Sequence, residues 1–145
     1  MEKYKFKLEK LLNIRKENEE KAKKEFMEAQ REMKKVQEII QELKDKHNKY
    51  NFPKANESII ERKIRDNYLN ALEQDIINSE NLLKEKIAFV EIKRKEVMAK
   101  QIDRKTVEKL KDKGQEIFDK EQSDIEQKAN DEFALFGYMR NHEGR

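Results

Sequence analysis

The chain has 145 residues, 34 of them Lys or Arg and 31 Asp or Glu, so 45% of it is charged while the formal net charge is only +3. Three Gly, one Pro, no Trp and 35% hydrophobic residues are too little turn chemistry and too little apolar material for a sandwich, a barrel or a doubly wound sheet. About half of the chain is Ala, Glu, Lys, Leu or Arg, the bias of long helices and coiled coils, and its 34 Leu, Ile, Val and Phe residues keep it just above the disordered range.

At the N-terminus, Met1 to Lys10 alternates charge where a signal peptide would be apolar, and no uncharged apolar run exceeds a few residues. A soluble intracellular protein is therefore expected. With no Cys there is neither a disulfide framework nor a thiolate zinc site. From Ala22 the apolar positions step through Phe26, Ala29, Met33, Val36, Ile40, Leu43, His47 and Tyr50, alternately four and three residues apart. That is a heptad seam. Tyr4, Leu8, Leu11, Arg15 and Asn18 extend it upstream, with a stutter at Asn18, Ala22 and Phe26 that would locally unwind a supercoil. Acid-before-base pairs such as Glu17/Lys21 and Glu42/Lys46 lie four residues apart and support the helix. Residues 2–50 read as one helix of about 75 Å.

The single Pro, Pro53, falls where the apolar period lapses, so residues 51–57 are predicted to form the turn. Ser58-Ile59-Ile60-Glu61 fits a capping box and marks a second helix over 58–137. Its stripe runs through Leu69, Leu72, Ile76, Ser79, Leu83, Ile87, Val90, Arg94 and Val97. It continues less regularly through Val107, Leu110, Gly114, Phe118, Ile125 and Ala129. This helix would be about 120 Å long. The short turn makes the helices antiparallel, so residues near 58–105 cover the first helix while about 105–137 find no partner in the chain. Gly114 is the expected bend or break and Gly137 the expected C-cap. The fold class is an all-α antiparallel coiled-coil hairpin whose second helix is longer and overhangs. An overhanging amphipathic stripe points to an interaction protein.

Chemistry is sparse. Gly114, Gly137 and Gly144 are too dispersed for a phosphate-cradling loop, and His47 and His142 have no His or Cys at ligand spacing. No catalytic residue, cofactor or metal is expected. Nor is the charge laid out for nucleic acid: residues 1–50 carry +4 (15 basic, 11 acidic), 51–100 carry +1 (10 and 9), and 101–145 carry −2 (9 and 11). Phosphate recognition needs a clustered basic footprint. Two apolar groups exceed what one seam can bury. They are the aromatics Tyr50, Phe52 and Tyr68 beside Leu43 and Leu72, and the C-terminal run Phe133-Ala134-Leu135-Phe136.

The opening run from Tyr4 to Lys16 (Tyr4-Lys5-Phe6-Lys7-Leu8-Glu9-Lys10-Leu11-Leu12-Asn13-Ile14-Arg15-Lys16), with Glu17, Glu20 and Ala22 after it, is similar to the N-terminal pattern of the flagellar FliJ family. Arg104-Lys105-Thr106-Val107-Glu108-Lys109-Leu110, and Asp131-Glu132-Phe133-Ala134 with Met139-Arg140, resemble its C-terminal pattern. The resemblance covers essentially the whole chain in length and layout. It implies a non-enzymatic, cytoplasmic component of the flagellar type III export apparatus, peripheral at the inner face of the cell membrane, serving flagellum biogenesis, chemotaxis and motility. It also implies a long antiparallel coiled coil like the shaft of rotary ATP synthases, with both termini entering the ring of the export ATPase FliI. A contact with the export-gate protein FlhA, and chaperone-like escort of export substrates or their chaperones, follow as well. The family's gate-binding surface is matched at Leu43, Tyr50, Tyr68 and Leu72, and departed from at Lys46, Asp75 and Ser79. Arg104, Lys105, Val107, Leu110, Phe118, Phe133 and Phe136 are the residues expected to face the ATPase ring. A structural coiled-coil tether, and an injectisome counterpart of the same hairpin, are the alternative readings.

Overall fold

The computed structural model describes residues 2–143 as two α-helices, α1 (Glu9–Tyr50) and α2 (Ile59–Glu143), with no strand among the described residues. The helices pack against each other as an antiparallel hairpin, the all-α fold that the heptad pattern predicts. The contacts group into two units, Asn18–Gln101 and Met1–Glu17 with Ile102–Arg145.

In the unit Asn18–Gln101 the core is the seam itself. Ala22, Ala29, Val36, Ile40, Leu69 and Leu72 are buried, and Phe26, Met33, Leu43, Ile76, Leu83, Val90 and Val97 are half-buried beside them. Two seam positions on α2 differ from the expected stripe. Ile87 is exposed and Lys86 turns inward in its place; Arg94 is exposed and Lys93 turns inward. Each lysine covers the seam with its methylene stem and places its ammonium at the edge. There Lys86 Nζ meets Glu32 at 3.1 Å and Lys93 Nζ meets Glu25 at 3.3 Å. Lys44–Glu80 at 3.5 Å and His47–Glu73 at 3.1 Å also cross between the helices. Going up α1 through Glu25, Glu32, Lys44 and His47, the partners run down α2 through Lys93, Lys86, Glu80 and Glu73, the order of an antiparallel pair.

The expected stutter is absent. Asn18 is exposed and Glu19, only 3% exposed, occupies the seam. With Leu12, Arg15 and Glu19 ahead of Ala22 and Phe26, the alternation of three and four is unbroken along α1. The Glu19 carboxylate is met by Lys23 Nζ at 3.2 Å on the next turn. The connection at 51–58 carries Pro53, as expected. Ser58 caps α2, its Oγ accepting from the Glu61 N–H at 3.1 Å and its carbonyl accepting from Arg62 N–H at 3.0 Å.

In the other unit, α1 begins at Glu9 rather than residue 2. Residues 2–6 are non-helical and a turn at 7–8 leads into the helix. Tyr4 and Phe6 are half-buried while Lys3, Lys5 and Lys7 are exposed. That is the period of an extended segment with one apolar edge, not of a helix. Leu12, 1% exposed, takes the seam position assigned to Leu11, and Leu8 is exposed. On α2, Val107 is 2% exposed while Leu110 is exposed. Arg15 Nη1 donates to the Asp103 carbonyl at 2.7 Å, and Lys111 Nζ pairs with Glu9 at 2.9 Å.

The overhang is therefore shorter than expected: Lys111, Gly114 and Phe118 meet the N-terminal residues Glu9 and Tyr4, and 123–142 are exposed throughout. The helix passes through Gly114 without a break. It also passes through Gly137 with no positive φ, so Gly137 is not a C-cap. A stacked Tyr138–His142 pair, one turn apart with centroids 4.2 Å apart, accompanies the continuation.

Candidate interaction surfaces

The connection between the helices brings together the first group of expected residues. The Tyr50 and Tyr68 rings meet edge to face, centroids 5.4 Å apart, with both side chains exposed by about two-fifths. Leu72 is buried and Leu43 half-buried. The tyrosines therefore form the accessible part of this set and the leucines its support. Lys46 and Asp75 are exposed and Ser79 is half-buried.

Sequence reasoning missed what surrounds the tyrosines. Arg65 Nη1 donates to both carboxylate oxygens of Glu57, at 2.6 Å to Oε1, and the two side chains are 15% and 10% exposed. This pair pins the connection to the first turns of α2. Phe52, Tyr50, Ile64 and Tyr68, with Lys49 and Arg65, line a cavity of about 390 Å³. Ile59, Ile60 and Ile64 are 87%, 73% and 64% exposed, so the apolar surface continues past the cavity. Ile60, Ile64 and Tyr68 are four residues apart and share one helix face. The signal was available as three isoleucines off the seam spacing. Apolar residues packed this densely at an exposed helix start mark an interaction site.

The second group is divided. Val107 is buried, and Phe118 is half-buried with its ring 5.7 Å from that of Tyr4. Arg104 Nη1 donates to Glu108 at 2.7 Å, and Lys105 is exposed. Leu110 is exposed. Only Phe133 and Phe136, 79% and 62% exposed, stand on the uncovered end of α2, with Leu135, Tyr138 and Met139 also exposed there.

Among the described residues no three His, Cys, Asp or Glu groups converge on a metal position. The groups that titrate away from their ordinary values shift toward the charge they already carry. The Glu19 hydrogen bond holds Lys23 protonated above the usual range, and Glu96, then Glu25, do the same for Lys93. Hydrogen bonding to Arg94 holds the Glu91 carboxyl low and raises the Arg94 guanidinium in return. A general acid or base requires the opposite displacement. No helix among the described residues is long and apolar enough to cross a membrane.

Two helices, a seam laced with ion pairs, an aromatic connection and an uncovered C-terminal face reproduce the layout that the terminal motifs implied. The family model described as flagellar FliJ protein matches residues 4–143. The chain belongs to the FliJ family. No curated protein and no solved structure matches it. As a FliJ-family member it is a component of the flagellar protein export apparatus, associated with that machinery and serving motility.

Proposed function

We propose that this FliJ chain is a non-catalytic, shaft-like accessory of the export ATPase, seated in the ATPase ring through the C-terminal part of α2. The observation that carries this reading is the exposed stretch 123–142, with Phe133, Leu135 and Phe136 uncovered on an otherwise charged helix. Apolar side chains held out in this way gain by burial in a partner. An asymmetric helix in a ring biases subunit states by contacting them unequally, without touching nucleotide. The surface around Tyr50 and Tyr68, supported by Leu43 and Leu72, contacts the export gate. Through these contacts the protein works in the cytoplasm, peripheral to the inner face of the membrane, and escorts export substrates or their chaperones.

The test is stimulation of the purified export ATPase. Addition of this protein is expected to raise the ATPase rate. Phe133→Ala with Phe136→Ala should remove most of the stimulation while leaving the thermal midpoint within about 2 °C, since exposed positions contribute little to stability. Wild-type protein that binds no ATPase and forms a tight homodimer instead would refute the shaft role.

A further inference from the structure

In the unit formed by the N-terminal segment and residues from Ile102 onward, one helical glycine has no conformational reason to be there. Gly114 lies in the interior of α2, where glycine is a poor helix former, and its φ is not positive. A Cβ built at Gly114 would lie 2.2 Å from the Tyr4 hydroxyl oxygen and 3.0 Å from Tyr4 Cζ. No side chain fits there while Tyr4 is seated. The missing methyl is a notch for the phenol.

What the notch holds is lightly attached. Among the described residues, 2–5 take part in no backbone–backbone hydrogen bond, and the segment is anchored by the half-buried rings of Tyr4 and Phe6. Such a segment can lift without unfolding the helices. Beneath it lies Phe118, and from Phe118 the residues Gln122, Ile125, Ala129, Glu132, Phe136 and Met139 follow at alternate steps of four and three. The face under the strap and the uncovered face of α2 are thus one continuous heptad stripe. Heptad spacing is read by another helix packing its side chains into the holes.

We propose that residues 2–8 are a displaceable strap that occupies the first turn of this stripe, and that a partner helix taking the full stripe must lift Tyr4 from the Gly114 notch. The partner is a helix of the export ATPase, which makes the proposal rest on the function proposed above. Seated, the strap shortens the accessible stripe and lowers apparent affinity by the fraction of molecules in which it is closed.

Tyr4 ring to Gly114 Hα nuclear Overhauser effects test the seating directly. They should be present in the wild type and lost in Gly114→Ala, with helix content undiminished. Their absence in the wild type, or an unshifted Tyr4 ring resonance in Gly114→Ala, overturns the proposal. Lys5 and Gln115 line one cavity with Tyr4, and the chain has no Cys, so Lys5→Cys with Gln115→Cys, bridged by a short bis-maleimide, locks the strap down. Locking should weaken binding of the export ATPase by about tenfold or more, and Gly114→Ala should strengthen it several-fold. Equal binding by locked, wild-type and Gly114→Ala proteins overturns the gating alone. Binding by none of them removes the ATPase reading and the gating with it.

Discussion

Leu12 and Val107 are the largest side chains removed almost completely from water, at 1% and 2% exposure. Their neighbours in sequence show how sharply a helix separates adjacent positions. Leu11 is only half-buried, while Leu12 disappears into the seam. Leu12→Ala should therefore cost about 2–4 kcal/mol, and Leu11→Ala less than about 1 kcal/mol, measured by thermal or urea unfolding. Equal costs would mean that the seam runs through Leu11 after all. At the start of α2, Ser58 satisfies the Glu61 N–H, and Ser58→Ala should cost about 1 kcal/mol. Glu19 is the charged residue at this depth, and its ion pair with Lys23 has a pH signature. The pair keeps the folded-state pKa of Lys23 above its ordinary value of 10.5. Its contribution is accordingly complete below that pH and is lost as pH rises through the higher folded value. Alkaline titration of Glu19→Gln alongside the wild type isolates it: the wild type should lose its advantage only in strongly alkaline buffer.

At the scale of the helices, the seam is built from fewer apolar residues than its length requires, and Lys86, Lys93 and Glu19 fill the gaps. Polar residues on a seam lower stability but fix register and partner number. Lys86→Leu combined with Lys93→Leu should raise the thermal midpoint by several degrees, in line with the apolar area gained. It should also shift part of the population to higher oligomers in sedimentation equilibrium. The same polarity limited what could be read from the chain. The alternation from Ala22 to His47 is apolar enough to be legible, and so were the turn at Pro53 and the Ser58 cap. Elsewhere the spacing alone allows a neighbouring residue: Leu11 for Leu12, Asn18 for Glu19, Ile87 for Lys86 and Arg94 for Lys93, and only burial decides between them. The N-terminal segment was misread for another reason. Tyr4 and Leu8 satisfy a helical step of four, but Tyr4 and Phe6 satisfy a step of two equally well, and only packing against Gly114 and Phe118 decides between them.

For the whole molecule, charge and apolarity are divided by task. Charge is blended along the chain, from +4 in residues 1–50 to −2 in 101–145, with no clustered basic footprint of the kind that polyanion recognition needs. Apolar exposure runs along both helices, Ile39, Ile77, Phe89 and Ile102 included, and is densest in two places, the connection between the helices and the end of α2. Each is tested by substitutions of its own residues. Tyr50→Ala with Tyr68→Ala is expected to weaken binding to the purified export gate at least tenfold, with no change in ATPase stimulation and little loss of helicity. Parallel loss of both activities would place the two partners on one surface. The two regions were legible as surplus apolar residues, Tyr50, Tyr68, Phe133 and Phe136 among them. Ile59, Ile60 and Ile64 were not, because a run of isoleucine beside a cap reads as the beginning of a seam until packing shows it facing outward.

The bare stretch 123–142 carries one more consequence. Roughly 20 residues of helix without tertiary contacts are only marginally stable in water. Its amides should exchange with solvent deuterium orders of magnitude faster than those around Val36 and Leu72. A partner that grips this stretch must then supply the ordering free energy, and part of its affinity is spent on winding the helix. The complex would form readily and dissociate readily, as the proposed seat in an ATPase ring would require.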